Sequence, residues 1–147
     1  MDGEKEAALA ALQAKFDQDP FCKFLGITLV ELRPGYARLY MDVTPSLLNF
    51  HGLTHGGAIY ALADAGFAAA SNSHGRAAVA LHVSMTYLAP TSTGTRLWVT
   101  ASEEKLGKRT ALYRLAVEDD RGELVALAQG VVYRRNDFLL EGLSEEI

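Results

Sequence analysis

Apolar and polar residues alternate most cleanly over 36–43, where Ala37, Leu39, Met41 and Val43 share one side and Tyr36, Arg38, Tyr40 and Asp42 the other. A period of two predicts a strand with one face buried. The stretch at about 24–33, which closes at Pro34-Gly35, reads as a strand before it. Four more strand patterns follow, at about 77–88, 96–105, 109–118 and 123–135. The connections at 90–94, 106–108 and 119–122 are short and turn-like, so successive strands are expected to run antiparallel.

Two segments depart from this period. Residues 4–17 place Leu9, Leu12 and Phe16 at helical spacing, which predicts a short amphipathic helix ended by Asp19-Pro20. Residues 44–55 read as a loop, and 56–72 are rich in alanine and lack proline, which predicts a second helix. Nearly its whole circumference is apolar, so it is expected to be enclosed. An antiparallel sheet must bury its apolar face, and this helix is the cover with enough apolar surface. The expected fold class is α+β: a curved antiparallel sheet wrapped around a central helix, in one domain spanning 1–147, with an acidic, peripheral tail at about 137–147.

Charge narrows the partners. The chain has 14 basic and 18 acidic residues, a net charge of −4. No global basic field exists to hold a nucleic-acid backbone, so no nucleic-acid partner is expected. No run approaches the ~18 apolar residues of a membrane span, and the first residues lack a basic, then apolar, signal pattern. Cys22 stands alone, cannot form an internal disulfide, and reads as a small packed side chain. These features lead us to expect a soluble, cytoplasmic protein.

The chemistry concentrates between Asp42 and Arg76, where Asp64 is the one formally charged residue, in the middle of the most apolar helix. Burying a carboxylate is costly unless it is paired or hydrogen-bonded, so its presence there points to a base or nucleophile with a burial-tuned pKa. Gly56 and Gly57 open the same helix, where exposed N–H groups and the helix dipole can polarise a carbonyl. These two features lie eight residues apart, about 12 Å at ~1.5 Å per residue. They cannot both reach one carbon from the same chain, so if both act, the site is shared between two subunits.

The run Asn49-x-x-Gly52-x-x-His55-Gly56-Gly57, then Leu62-x-Asp64, resembles the signature of hotdog-fold thioesterases of the phenylacetate-degradation (PaaI) type. Tyr87-Leu88-Ala89-Pro90 with Gly94, and Gly122-x-Leu124-Val125-Ala126, are similar to later stretches of that family. The likeness covers roughly 20–135. It implies the hotdog fold and hydrolysis of an acyl-CoA thioester, of an aryl-acetyl or medium-sized acyl group, to free acid and coenzyme A. Coenzyme A is part of the substrate, and no further cofactor is implied. By that likeness Asp64 would activate water or attack the carbonyl, the Gly56 N–H would polarise it, Asn49 would orient water or thioester, and His55 would support the loop or the carbonyl contact. Gly57, Met85 and Tyr87 are expected to line the substrate, and Lys108 and Arg109, with Lys105, to meet the coenzyme A phosphates or form a solvated turn. Residue 68 is Ala, so the hydroxyl that some related thioesterases carry there is missing. A homo-oligomer is expected, at least a dimer and in the family's manner a dimer of dimers.

Other constellations are weaker. His51 and His55 are four apart but lie in a glycine-broken loop with no third ligand, so no metal site is expected. Ser71, His74 and Asp64 lack a nucleophile elbow. The same fold also hosts acyl-CoA hydratases and dehydratases, and a non-catalytic acyl-CoA binder is a third possibility.

Overall fold

The computed structural model describes residues 2–139. Its elements are α1 (Asp2–Asp17), α2 (Pro20–Leu25), β1 (Ile27–Arg33), β2 (Tyr36–Asp42), a 3₁₀ turn (Pro45–Leu47), α3 (Gly56–Asn72), β3 (Arg76–Tyr87), β4 (Arg96–Leu106), β5 (Thr110–Glu118) and β6 (Leu124–Phe138). The six strands form one sheet in the order β1-β2-β4-β5-β6-β3, and every pairing is antiparallel. The sheet curls around α3, which touches all six strands. This is the architecture expected of the hotdog fold.

The alternation in β2 has the expected sense. Ala37, Leu39 and Met41 are fully buried against α3 and its neighbours. On the outer face Tyr40 packs against Trp98 at 5.2 Å, with Arg96 stacked over Tyr40 and Arg38 over Trp98.

The expected strand at 24–33 begins later than the apolar pattern indicates, because 20–25 is a short helix. Asp19 ends α1 and also caps α2, its carboxylate accepting the Cys22 N–H at 3.0 Å, while Pro20 takes the first helical turn, where its missing N–H costs nothing. Gly26, at φ 74°, closes the helix in the left-handed region that glycine enters freely, and donates to the Cys22 and Lys23 carbonyls. The dipeptide Asp-Pro thus serves both as a stop and as a start. In α1 the buried side chains are Ala8 and Leu12, with Phe16 packed against the core and Leu9 half-buried. At the other end β6 runs to Phe138, so the first two residues of the expected tail belong to the sheet; 140–147 lie outside the described residues.

The helix α3 is not enclosed all round. Ten of its residues are buried, but Gly57, Tyr60, Asp64 and Ala68 form an exposed stripe along one side. Close approach elsewhere depends on missing side chains. A Cβ on Gly66 would stand 3.0 Å from Val99 of β4, and one on Gly130 of β6 only 2.6 Å from the buried Phe67 ring. Gly130→Ala is therefore expected to destabilise the fold by about 1–3 kcal/mol through overpacking. A lowered thermal midpoint, partly recovered by adding Phe67→Leu, checks this.

Candidate active site

The N-terminus of α3 is organised by the loop before it. His55 caps the helix: its Nδ1 accepts the Gly57 N–H at 2.8 Å, which places the ring proton on Nε2. Backbone bonds from His55 to Leu47 and from Thr54 to Thr91 hold the loop, and the Thr54 and Thr91 hydroxyls meet at 2.8 Å. His55→Ala should cost about 0.5–2 kcal/mol, the scale of a lost cap. His55→Asn, which keeps an acceptor, should recover most of it in denaturant unfolding; equal losses would assign the ring a role beyond the cap.

Asn49 is fixed by its own side chain. Its Oδ1 accepts the His51 N–H at 2.9 Å and the Leu53 N–H at 3.2 Å. With both of those donors turned to the oxygen, the amide nitrogen is the group left to bind elsewhere. Gly56 presents a second donor. Among the described residues its N–H has no acceptor, while its carbonyl accepts the Tyr87 hydroxyl at 3.0 Å. Burial, and then nearby Tyr60, push the Tyr87 phenol up, so it stays a donor. A side chain on Gly56 would crowd the Tyr87 ring at 3.3 Å.

Asn49, Gly56 and Tyr87 line one cleft of about 370 Å³, together with Ile59 and the chain from Leu88 to Thr91. Asp64 is not part of its wall. It stands two turns further along α3 on the exposed stripe, between Tyr60 and Ala68. The residue as a whole is exposed, yet partial burial of its carboxyl pushes its pKa up from the ordinary aspartate value. Cys22 lies near enough to feel its charge; burial, Asp19 and Asp64 together push the thiol up to about 12, so Cys22 remains protonated and packed. Within one chain, therefore, the structure brings Asn49, Gly56 and Tyr87 together and keeps Asp64 apart.

The remaining expected residues lie elsewhere. Met85 is half-buried against the core rather than open to the cleft. Lys108 and Arg109 line a different cavity, about 670 Å³, at the opposite end of β3, with Arg76, Tyr133, Asn136 and Phe138. His51 is exposed and stacks on Phe50, His74 bonds Glu103 at 2.7 Å, and the described residues contain no group of three or more potential metal ligands. Sequence reasoning passed over Tyr60, Thr54, Thr91 and Arg76. Tyr60 had a signal, one turn before Asp64; the threonine clamp spans 37 residues and had none.

A long apolar helix inside a six-stranded curled sheet defines the hotdog fold, here with a free N–H at the helix start and a lone carboxylate further on. Residues 51–126 match the family model of the Thioesterase superfamily, and the chain belongs to that family. It is 37% identical to the acyl-coenzyme A thioesterase PaaI of Escherichia coli over 121 residues, 82% of this chain and 86% of that one. The solved E. coli PaaI structure, from the phenylacetic acid degradation operon, superposes with a TM-score of 0.87, covering 91% of this chain and 97% of that chain at 34% identity. A Thermus thermophilus structure is 46% identical, with a TM-score of 0.77 over 80% of this chain and 98% of its own. A Streptococcus mutans protein solved with acetyl CoA bound is 27% identical, with a TM-score of 0.72 over 74% of this chain and 88% of that one.

Proposed function

We propose that this thioesterase hydrolyses acyl-CoA at a site shared by two copies of the chain, with an aryl-acetyl or medium-sized acyl group as substrate. The observation that carries the reading is the donor-lined cleft: a helix N-terminus with a free N–H at Gly56, beside the free amide nitrogen of Asn49. A carbonyl oxygen seated there gains negative charge in the transition state, and preorganised donors stabilise it most at that point. Asp64 supplies the attack. Its carboxylate takes a proton from water as the water oxygen bonds the carbonyl carbon, or it bonds that carbon itself. In the first route the C–S bond then breaks and the sulfur leaves with the proton that Asp64 took from water. In the second the sulfur leaves as the thiolate and takes a proton from solvent, and water hydrolyses the acyl–Asp64 anhydride to the free acid.

The second copy is supplied by β3. This 12-residue strand is an edge of the sheet, with Val79 46% and Leu81 61% exposed. An uncovered edge of that length and apolarity is a pairing surface. Joining two such edges about a two-fold axis sets the strands antiparallel and brings each exposed α3 stripe, with Tyr60, Asp64 and Ala68, toward the other copy's cleft. Similarity to E. coli PaaI and to the acetyl CoA-bound protein supports the substrate class.

The test is release of free thiol, followed with a coloured thiol reagent, over a panel of acyl-CoAs that includes phenylacetyl-CoA. Turnover is expected. Binding without thiol release would favour a non-catalytic acyl-CoA binder, and hydration of an enoyl-CoA without thiol release a hydratase.

A further inference from the structure

We propose that Tyr87 is a positioning residue: its hydroxyl and His55 hold the Gly56–Gly57 peptide from its two ends and so aim the Gly56 N–H at the substrate carbonyl. This rests on the acyl-CoA hydrolysis proposed above, and it gives Tyr87 a task other than lining the acyl group.

The two anchors act on one peptide plane. Its carbonyl, that of Gly56, accepts the Tyr87 hydroxyl at 3.0 Å, and its N–H, that of Gly57, donates to His55 Nδ1 at 2.8 Å. A peptide flanked by two glycines is the least restrained in rotation, since neither neighbour has a Cβ to limit φ and ψ. The same missing atoms admit the anchors. A Cβ on Gly56 would stand 3.3 Å from Cζ of Tyr87, and one on Gly57 3.0 Å from Nδ1 of His55, tighter than ordinary contact. The pair that lets the rings close in is also the pair that needs them. On the loop side the His55 N–H is held by the Leu47 carbonyl at 2.7 Å. Gly56 is therefore fixed on both sides, and among the described residues its own N–H is left without an acceptor.

Tyr87 can carry this role because the sheet holds it. It ends β3 opposite Ala126 of β6, and the next two N–H groups, of Leu88 and Ala89, both reach the Val125 carbonyl, at 2.8 and 3.2 Å. Val125 and Ala126 are fully buried. The ring is a strut from the core of the sheet to the start of α3, 31 residues away in sequence. Burial, and then Tyr60, push the phenol up, so the hydroxyl stays a donor at the neutral pH where Asp64 is ionised. A donor to the oxyanion helps most when it need not reorganise as charge develops. Losing such a donor outright costs about 10²–10³ in rate. A donor kept in place but released from one anchor should cost less.

Tyr87→Phe removes the hydroxyl and keeps the ring. Its kcat should fall about tenfold, the scale of one hydrogen bond lost from the transition state, with KM nearly unchanged. The fall should be the same for acyl-CoAs with different acyl groups, because the carbonyl is common to all of them. A rise in KM, or a loss that follows the acyl group, would make Tyr87 a wall of the substrate site and overturn the proposal; so would an unchanged kcat. His55→Ala removes the other anchor. Both anchors fix one plane, so the Tyr87→Phe/His55→Ala chain should be little slower than the slower single variant. Losses that multiply would mean two separate tasks and overturn it. If the wild type releases no thiol from any acyl-CoA, the thioesterase reading fails by itself. Amide hydrogen exchange then still decides the clamp: the Gly57 N–H should exchange about tenfold faster in Tyr87→Phe than in the wild type, with the β6 amides unchanged. Equal protection of Gly57 in the two chains, or a matching rise in β6, would overturn it.

Discussion

Replacing Asp64 by Asn is expected to lower kcat at least about a hundredfold, the scale of lost acid–base assistance, with KM and fold retained. The two side chains are nearly isosteric, and Asp64 is the carboxylate of the α3 stripe. Partial burial pushes its pKa up, and the ionised form is the reactive one whether it takes a proton from water or attacks the carbonyl. Wild-type kcat/KM should therefore rise with pH through this raised value, and the residual activity of the variant should lack that limb. The same shift has an opposite consequence for stability. Between the ordinary aspartate value and the raised one, the folded state holds the proton that the unfolded state has lost. Stability thus falls as pH rises across that window and stays reduced above it. Asp64→Asn removes this loss, so its thermal midpoint at neutral pH should match or exceed that of the wild type. Near-normal turnover in the variant would take Asp64 out of the reaction.

Mixing two inactive chains should restore activity if the site is shared. Asn49→Ala removes the amide that shares the cleft with Gly56, and Asp64→Ala removes the carboxylate outside it. A mixed dimer then carries one intact site and one doubly defective site. Random pairing makes about half the dimers mixed, so activity should recover to about a quarter of wild type. Were each site built within a single chain, every site would keep one defect and mixing would restore nothing. Asn49 also holds its own loop through Oδ1, so its loss risks misfolding. Asn49→Asp keeps both acceptor contacts, removes the N–H₂ donor and puts a carboxylate in its place. It serves as the second partner, and recovery should be the same.

Much of this arrangement was legible along the chain. The two-residue period of 36–43 fixed which side of β2 is buried, because neighbouring side chains of a strand must face opposite ways. The short connections gave the antiparallel neighbours, and the apolar run at 56–72 gave the central helix. Asp64 stood out because an isolated charge in an apolar helix needs a reason. The family signature agreed with the superfamily match over 51–126, which takes in Gly56 and Asp64. Even the separation of Gly56 from Asp64 follows from the rise of a helix.

Other features depend on contacts between distant segments, which no local pattern encodes. Apolar residues at 20–25 fit a strand or a helix, and the Asp19 cap with Gly26 in the left-handed region settled it. Composition made α3 look enclosed on all sides, but among the described residues six strands curl around it and leave a stripe with Asp64 uncovered. Lys108 and Arg109 were visible as a basic hairpin. Their company with Arg76, and their distance from their own cleft, appear only when β3 is laid against β6. Sequence determines period, charge and the spacing along each element. The folded sheet decides which ends of those elements meet, because that depends on strand order and not on neighbours in the chain.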